Sequence, residues 1–468
     1  MLFASKGPAA MLAGTLTPAG GGAADVHPLA YYWLLWGWMQ VFGGSVAAAR
    51  LLSVLFGLGV VWLAYRLGRG LFSPWVGLRF AALAAISPFQ LHYAQEIRMY
   101  ALLAFLCLAA TLGLWLGMRR GQARGWVLFA LAAAGAQYTQ NLAVFFLLPL
   151  AATPLLARRW KSLRAAIPAS LLALLLYLPW LWFLPSQLQK VQSAYWTQKP
   201  GVGRLITALV SYVSNLPLPG LALPVALFAA LACLALAGWQ TLRALRAGLP
   251  GSRRGLWLLY LALAPMALLF AVSQIQPVFI ERALLPSGML FLMWLGWAFT
   301  RTGLPRPVAG LAFALLLAGM SLGVYEHFAY RGFPYGPYAG LDASLSRRAA
   351  QGDLILHSNK LSLLPAVIYD PDLPQHYLAD PPGSGSDTLA LPTQRVLGLL
   401  AVPGVEEAVS GLEPGGRLWF IIFQRALDEL EGSANPQHPH LTWLDAQLNL
   451  ERVETWGDLR LYVYSDQP

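Results

Sequence analysis

Ten apolar segments follow one another between residues 46 and 325, with short polar links between them. Runs of this kind are long enough to cross a bilayer as helices, or nearly so where Pro or Gly interrupts them. Because 57% of the 468 residues are hydrophobic and only 11% are charged, a soluble globular protein is excluded. The sequence predicts an α-helical polytopic membrane protein with about ten transmembrane helices. The segments are 46–66, 77–91, 99–117, 125–138, 141–157, 165–185, 220–241, 256–273, 283–300 and 307–325.

The links between these segments alternate in charge. Every second link is basic, and together these links hold sixteen Lys and Arg residues and no Asp or Glu. The positive-inside rule assigns them to the cytoplasm, so the remaining links are external. The net charge of +11 therefore reflects topology and not nucleic-acid binding. The basic residues concerned are Arg66, Arg69, Arg79, Arg119, Arg120, Arg124, Arg158, Arg159, Lys161, Arg164, Arg243, Arg246, Arg253, Arg254, Arg301 and Arg306.

Acidic residues divide the chain into two parts. Residues 341–468 hold 17 of the 21 Asp and Glu residues, which is typical of a water-soluble tail. The other four are Asp25, Glu96, Glu281 and Glu326, all in external links. We expect four regions: a loop remnant with an interfacial helix (1–45), a transmembrane domain (46–325), a linker (326–340) and an external α/β domain (341–468).

Two further helices are expected to lie in the interface and not to cross it. His27–Trp38 is rich in aromatic residues, as interfacial segments are. Arg204–Leu218 is apolar, but counting it as a span would place the basic 242–255 link outside. In the tail, alternating apolar patterns predict strands at 353–357, 395–401, 417–423 and 459–464. Helices are predicted around Ala349, at 426–431 and at 443–448.

The stretch Gln95–Tyr100 (QEIRMY) interrupts two apolar runs with a carboxylate and a guanidinium. Charges so close to hydrocarbon are costly and mark candidate functional sites. Glu96 and Arg98 also fit a plain loop ion pair, and Glu281 and Arg282 admit the same two interpretations. The longest external link of the membrane part contains both cations and aromatic rings. Such residues can bind a phosphate and stack on a sugar ring, or they can belong to a plain solvated loop. This link contains Lys190, Tyr195, Trp196, Lys199 and Arg204.

Familiar catalytic motifs are missing from the sequence. It contains no Walker loop, HExxH, CxxC, dinucleotide fingerprint or serine elbow. The two cysteines, Cys107 and Cys233, fall in apolar runs, so neither a disulfide nor a thiolate metal site is indicated. We expect no cofactor requirement and no dedicated metal site, with a divalent ion at Glu96 as the alternative.

Seven short segments carry a resemblance to a known family. The sequence resembles the bacterial polytopic glycosyltransferases of family 39, in the GT-C superfamily, which are related to protein O-mannosyltransferases and to lipid A aminoarabinose transferases. The QEIRMY motif is the most specific part of the resemblance, and Gln140 stands where the family usually has histidine. The segments are His27–Tyr32, Arg50–Gly57, Ser87–Phe89, Gln95–Tyr100, Tyr138–Asn141, Glu281–Pro286 and, in the tail, Asp353–Ser358.

The resemblance implies transfer of a sugar from a polyprenyl-phosphate donor to a lipid, glycan or protein acceptor at the outer face of the cytoplasmic membrane. Cations stabilise the departing phosphate in such a reaction, and the residues expected to do so are Arg98, Arg282 and Lys190. Glu96 is expected to orient Arg98 or to hold a metal ion. The residues expected to bind substrate are His27, Gln95, Tyr100, Gln140, Asn141, Tyr195 and Trp196.

One family feature has no counterpart here. Members carry an Asp-Glu pair in the first external loop, after a first transmembrane helix, and this Asp is the expected catalytic base. We expect the helix and the pair to lie upstream of Met1, and Asp25 is the substitute within this sequence. Two alternatives remain: a lipid or sugar transporter or flippase, and a catalytically inactive GT-C-like subunit. The charges lie at segment ends and not at the bilayer midplane, which favours an enzyme over a transporter.

Overall fold

In the computed structural model of the protein, the described residues are 1–15, 27–187, 189, 198–380, 388–430 and 437–465. The described chain forms two compact units. A helical unit comprises His27–Leu184 and Thr197–Tyr330. A mixed unit comprises the described residues of Met1–Val26, Pro185–Trp196 and Arg331–Pro468.

The helical unit contains long apolar helices that account for the predicted segments. Among the described residues, seven helices are long and apolar enough to cross a membrane: Val46–Leu71, Tyr100–Arg119, Trp160–Leu181, Ala222–Arg246, Ser252–Ser273, Glu281–Arg301 and Arg306–Ala329. The other predicted segments are shorter helices, Ala123–Thr139, Val144–Leu156 and the pair Pro74–Ala85 and Pro88–Gln95. Helices also form at Ala30–Phe42 and Gly203–Ser214, where interfacial helices were expected, and short 3-10 turns form at Asn141–Ala143 and Glu281–Leu284. A polytopic α-helical membrane protein is thus confirmed.

The predicted segment 77–91 is broken in two, and this break positions the candidate site. The first helix ends at Ala85, and Ser87 begins the next by accepting a hydrogen bond from the backbone N–H of Gln90 at 3.3 Å. Pro88 occupies the first helical position, where its missing N–H is harmless. Gly57 lets the second helix approach Val46–Leu71 closely, because a Cβ there would lie 2.8 Å from the Cβ of Ala94. The short helix Pro88–Gln95 is thereby fixed just before Glu96.

The mixed unit is built on one six-stranded sheet with the order β3-β2-β1-β4-β6-β5. β1, β2, β3 and β4 run parallel to one another, whereas β6 pairs antiparallel with both β4 and β5. Apolar cores cover both faces of the sheet. The strands are β1 (Leu354–His357), β2 (Gln375–Leu378), β3 (Ala401–Val402), β4 (Arg417–Phe423), β5 (Asn449–Trp456) and β6 (Leu459–Ser465). The helices of this unit are Leu2–Ser5, Pro8–Thr15, Tyr338–Arg348, Lys360–Tyr369, Leu391–Leu397, Val405–Ser410, Gln424–Asp428 and Pro439–Gln447.

One secondary-structure prediction in the tail is wrong, and another differs from the structure at the end of the helix. The predicted strand 395–401 is mostly helix, Leu391–Leu397, which starts with a proline in its first turn and ends at Gly398 in the left-handed region (φ 73°). Only Ala401–Val402 forms a strand there. The helix expected around Ala349 ends one residue earlier, at Arg348, where the chain turns and the Ala350 N–H donates to Asp353. In both places, turn chemistry overrides the apolar pattern.

Candidate active site

The Gln95–Tyr100 stretch lies at a junction between two helices. One helix ends at Gln95, Glu96 is extended (φ −79°, ψ 140°), and the next helix begins at Tyr100. Tyr100 is fully buried, whereas Gln95, Glu96 and Arg98 are half-buried. The polar groups of the stretch therefore line one end of the helical unit instead of its middle.

Two arginines that are far apart in sequence meet at the ring of Tyr100. The guanidinium carbon of Arg98 lies 5.2 Å from the ring centroid, and that of Arg282 lies 5.6 Å from it. Arg282 reaches the ring from the 3-10 turn Glu281–Leu284, which directly precedes the helix Leu285–Arg301. An aromatic face attracts cations, but two guanidiniums at one ring also repel each other. A bound anion would relieve that repulsion.

Glu96 supplies a carboxylate next to these cations. Its Oε1 lies 3.2 Å from Nε2 of His92, one helical turn earlier, and its buried Oε2 accepts no hydrogen bond from any described residue. Burial by itself raises the pKa of Glu96, but the hydrogen bond and charge of His92 and the charges of Arg98 and Arg282 outweigh burial, so that the net pKa is lowered. Glu96 is therefore ionised and electrostatically coupled to both arginines.

A pair of histidines extends this cluster to another helix. Nδ1 of His92 lies 3.3 Å from Nδ1 of His327, on the helix Arg306–Ala329. The contact joins Nδ1 of one ring to Nδ1 of the other, so one ring must donate its Nδ1 proton and the other must accept it. Neither histidine was a predicted site residue. His92 could have been found, since it precedes Glu96 by four residues on one helix face; its pairing with His327 could not.

Tyr31 is a third residue that the sequence interpretation missed. Its hydroxyl lies 3.0 Å from the hydroxyl of Ser53, and the side chain is 2% exposed. Burial raises the pKa of Tyr31 to about 12; the Ser53 hydrogen bond lowers it, and the charges of Glu96 and Arg98 act in opposite directions. Tyr31 belongs to the His27–Tyr32 segment, so the helix Ala30–Phe42 delivers that motif to the Glu96 cluster. His27 itself is half-buried just before this helix.

Glu281 has a different role from its neighbour Arg282. Nη2 of Arg204 donates to Oε2 of Glu281 at 3.1 Å, and Nε of Arg204 lies 3.1 Å from Oε1. This two-point ion pair joins the helix Gly203–Ser214 to the 3-10 turn. The ion pair of Glu281 with Arg204 holds the turn that presents Arg282 to Tyr100.

Gln140 and Asn141 lie with a group of tyrosines at the start of a short turn. The hydroxyl of Tyr177 donates to Oδ1 of Asn141 at 2.7 Å, and the rings of Tyr177 and Tyr138 pack edge to face with centroids 5.2 Å apart. Gln140 is 2% exposed, and its Nε2 has no hydrogen-bond partner among the described residues. These polar groups are fixed by the helices Ala123–Thr139 and Trp160–Leu181.

Four predicted site residues lie outside the described residues: Asp25, Lys190, Tyr195 and Trp196. Among the described residues, the donors around Glu96 do not fit a metal ion there. Within the described ranges, no three His, Cys, Asp or Glu side chains come together in a way that could hold a metal. The groups whose charges act on Glu96 include two guanidiniums, which repel a divalent cation.

Comparisons with known proteins agree with this architecture. Residues 26–183 match the family described as dolichyl-phosphate-mannose-protein mannosyltransferase. A curated relative, the undecaprenyl phosphate-alpha-4-amino-4-deoxy-L-arabinose arabinosyl transferase of Pseudomonas aeruginosa (strain UCBPP-PA14), is 34% identical over 164 residues. The resemblance to GT-C aminoarabinose-transferase-like proteins is confirmed. That match covers 33% of this chain and spans only 29% of the relative's length.

Solved structures extend the likeness to nearly the whole chain. Crystal structures of ArnT from Cupriavidus metallidurans, in the apo state and bound to undecaprenyl phosphate, superpose with TM-scores of 0.60 and 0.58. Both comparisons cover 93% of this chain and 87% of the other chain, at 13% sequence identity. The protein therefore has the ArnT fold.

Proposed function

We propose that the protein is a membrane glycosyltransferase that moves a sugar from a polyprenyl-phosphate donor to a lipid, glycan or protein acceptor. The observation that carries the proposal is the meeting of Arg98 and Arg282 at the ring of Tyr100, beside the carboxylate of Glu96. Two guanidiniums can bind a phosphate through several charge-assisted hydrogen bonds. The match to an undecaprenyl-phosphate-dependent transferase supports the same donor class.

The chemistry requires little more than charge stabilisation and positioning. The bond between the sugar C1 and the phosphate oxygen breaks, a bond between C1 and the acceptor oxygen forms, and the acceptor loses a proton. Negative charge then accumulates on the departing phosphate, where Arg98 and Arg282 stabilise it. The ring of Tyr100 keeps the two guanidiniums close together before the donor arrives.

Glu96 serves this site by orienting the cations. Its lowered pKa makes it a weak base, so it is poorly suited to accept the proton of the acceptor. Its charge and its contact with His92 instead fix the position of the carboxylate relative to Arg98 and Arg282. The role of catalytic base remains assigned to an aspartate, and Asp25 is the candidate in this sequence.

An apolar groove offers a place for the isoprenoid chain of the donor. It has a volume of about 380 Å³ and lies between the helices Ala123–Thr139, Val144–Leu156 and Trp160–Leu181. Its lining runs from Leu163 near one helix end to Gln137 and Tyr177 near the other. An isoprenoid bound there would bury hydrocarbon against residues such as Leu171, which is 59% exposed in the protein alone.

We also propose that the protein lies in the cytoplasmic membrane with its C-terminal domain outside. The basic links 66–79, 119–124, 158–164 and 242–255 then face the cytoplasm, and the Glu96 cluster faces outward. A reporter fused after residue 250 should be active only in the cytoplasm, and one fused at the C-terminus only outside. The reverse pattern would contradict this orientation.

The proposed function is tested by assaying the full chain in proteoliposomes against radiolabelled sugars. Polyprenyl-phosphate sugars should support transfer to membrane acceptors, whereas nucleotide sugars should not. Transfer from nucleotide sugars with inert polyprenyl donors would contradict the donor assignment. Binding of polyprenyl phosphate without transfer from any donor would instead identify an inactive subunit, and movement of intact donor across the membrane a transporter.

A further inference from the structure

The end of the helical unit away from Glu96 contains a second cationic site, with no role in the proposed reaction. A polar cavity of about 570 Å³ opens where the helix Tyr100–Arg120 ends and the helix Ser252–Ser273 begins. Its lining includes Trp115 and residues of the turn between Leu245 and Ser252. Four arginines also line it: Arg119, Arg159, Arg253 and Arg254.

Two of these arginines are held in place by specific contacts. The guanidinium carbons of Arg119 and Arg254 lie 5.7 and 5.8 Å from the ring centroid of Trp115. Nη1 of Arg119 donates to the carbonyl of Gly70 at 2.8 Å, and Nη1 of Arg254 donates to the carbonyl of Leu71. These carbonyls end the helix Val46–Leu71, where the helix dipole favours cations. A guanidinium has five N–H donors, so each arginine keeps donors for a ligand.

Among the described residues that line the cavity, none is Asp or Glu. Acidic residues are also rare in this part of the sequence, with four before residue 341. Within the described ranges, none of the four arginines forms an ion pair. Ser252, which is 6% exposed, begins a 22-residue helix whose positive end adjoins the same space. The cavity is therefore built for an anion.

We propose that this cavity binds a phosphate group, carried by the headgroup of an anionic phospholipid in the adjacent leaflet or supplied as free phosphate. Guanidinium groups bind phosphate oxygens in a two-point geometry. The position favours a lipid headgroup, because Trp115 and Arg119 lie at the end of a membrane-spanning helix, where indole rings and cations meet the headgroup layer. This assignment holds whatever reaction occurs at Glu96.

A titration of the purified full chain tests the proposal. Short-chain phosphatidylglycerol, phosphatidylcholine and inorganic phosphate are added separately, and the bound ligand is measured by native mass spectrometry. The wild type should bind phosphatidylglycerol more tightly than phosphatidylcholine. Arg119→Gln combined with Arg254→Gln should weaken that binding about 25-fold, or about fivefold for each arginine removed. The matched control is Arg243→Gln with Arg246→Gln, two basic residues at the same face that do not line the cavity; it should bind like the wild type.

Competition separates the two sources of phosphate. If millimolar inorganic phosphate leaves phosphatidylglycerol bound, the lipid headgroup is the ligand; if it displaces the lipid, free phosphate is. Both results support a phosphate site. If the Arg119→Gln, Arg254→Gln variant and its control bind phosphatidylglycerol equally, the proposed phosphate site is wrong. The arginines of the cavity would then act only as topology signals.

A second pair of variants keeps the test valid if the double variant does not fold. Arg159 is exposed in a loop, so Arg159→Glu places a carboxylate in the cavity without disturbing a packed helix. Arg164→Glu makes the same charge change on an exposed residue that does not line the cavity. Only Arg159→Glu should lose phosphatidylglycerol. Equal retention or equal loss in both variants would contradict the proposal.

Discussion

The same arrangement, an aromatic ring flanked by two arginines, is found at both ends of the helix Tyr100–Arg120. Arg98 and Arg282 flank Tyr100 at one end, and Arg119 and Arg254 flank Trp115 about 20–25 Å away at the other. The ends differ in what surrounds the cations. Glu96, His92 and His327 stand beside the first pair, whereas the carbonyls of Gly70 and Leu71 hold the second pair.

This difference indicates that the two arginine pairs bind phosphate for different purposes. The carboxylate of Glu96 orients Arg98 and Arg282 before the reaction, so that end suits a phosphate that departs. The second end offers fixed backbone acceptors and no carboxylate among its lining residues, so it suits a phosphate that stays bound. Two arginines at a ring therefore indicate a phosphate, and the neighbouring groups indicate what happens to it.

The largest expected effect comes from removing one cation at the Glu96 end. Arg98→Ala should lower kcat for transfer by about 10²- to 10³-fold, because a charge-stabilising donor is lost in the transition state. The same change at the other end, Arg254→Ala, should leave kcat unchanged. Steady-state transfer by the two purified variants decides the matter, and a large loss in Arg254→Ala would show that the ends do not have separate roles.

A smaller loss is expected when Glu96 becomes neutral. Glu96→Gln keeps the shape of the side chain but removes the charge that orients the arginines, and it should reduce kcat about 10- to 100-fold. The folded-state pKa of Glu96 lies below its ordinary value, so the carboxylate is ionised at neutral pH and loses its charge only as the pH falls through that lowered pKa. A pH–rate profile should show no Glu96 titration near neutrality, and wild-type rates for Glu96→Gln would refute the orienting role.

If the apolar groove binds the isoprenoid chain, blocking it should raise KM more for long-chain donors than for short-chain donors. Leu171→Trp fills the groove and should raise KM for a long-chain polyprenyl donor about fourfold for each methylene group it displaces, with little effect on a short-chain donor. Leu175 is similarly exposed on the same helix but does not line the groove, so Leu175→Trp is the matched control. Equal KM values for both variants would exclude the groove as the chain-binding site.

The smallest expected effect is that of metal removal. Because the charges that act on Glu96 within the described part of the chain are two guanidiniums and His92, we expect EDTA to leave kcat and KM unchanged. Assays before and after chelation, with Mg²⁺ or Mn²⁺ added back, would measure this. If EDTA abolishes transfer and either ion restores it, a metal ion and not the pair Arg98 and Arg282 stabilises the charge on the departing phosphate.

Most of the helical architecture could be predicted because long apolar runs leave few alternatives. The tail was harder, since short apolar runs fit helix and strand equally well. The residues 395–401 illustrate this, because Pro392 and Gly398 favour a helix that the apolar pattern alone does not reveal. Strand β5 escaped prediction for a related reason: most of its residues are exposed and polar, as on a sheet edge.

The sequence predicted those residues of the candidate site that lie in recognisable motifs, but not the contacts between distant segments. Arg98, Arg282 and Tyr100 belong to recognisable segments, and the structure brings them together. The contact of His92 with His327 spans 235 residues, and the proximity of Tyr31 to Glu96 depends on how the helix Ala30–Phe42 packs. Such contacts follow from tertiary packing, which no sequence period encodes.

The most direct test compares matched double variants at the two ends of the Tyr100–Arg120 helix. Transfer from a polyprenyl-phosphate sugar is measured in proteoliposomes for Arg98→Ala with Arg282→Ala, and for Arg119→Ala with Arg254→Ala. The account predicts that the first variant loses transfer while remaining folded and inserted, and that the second transfers sugar like the wild type. Transfer by the first variant at the wild-type rate would contradict the assignment of the phosphate-leaving site.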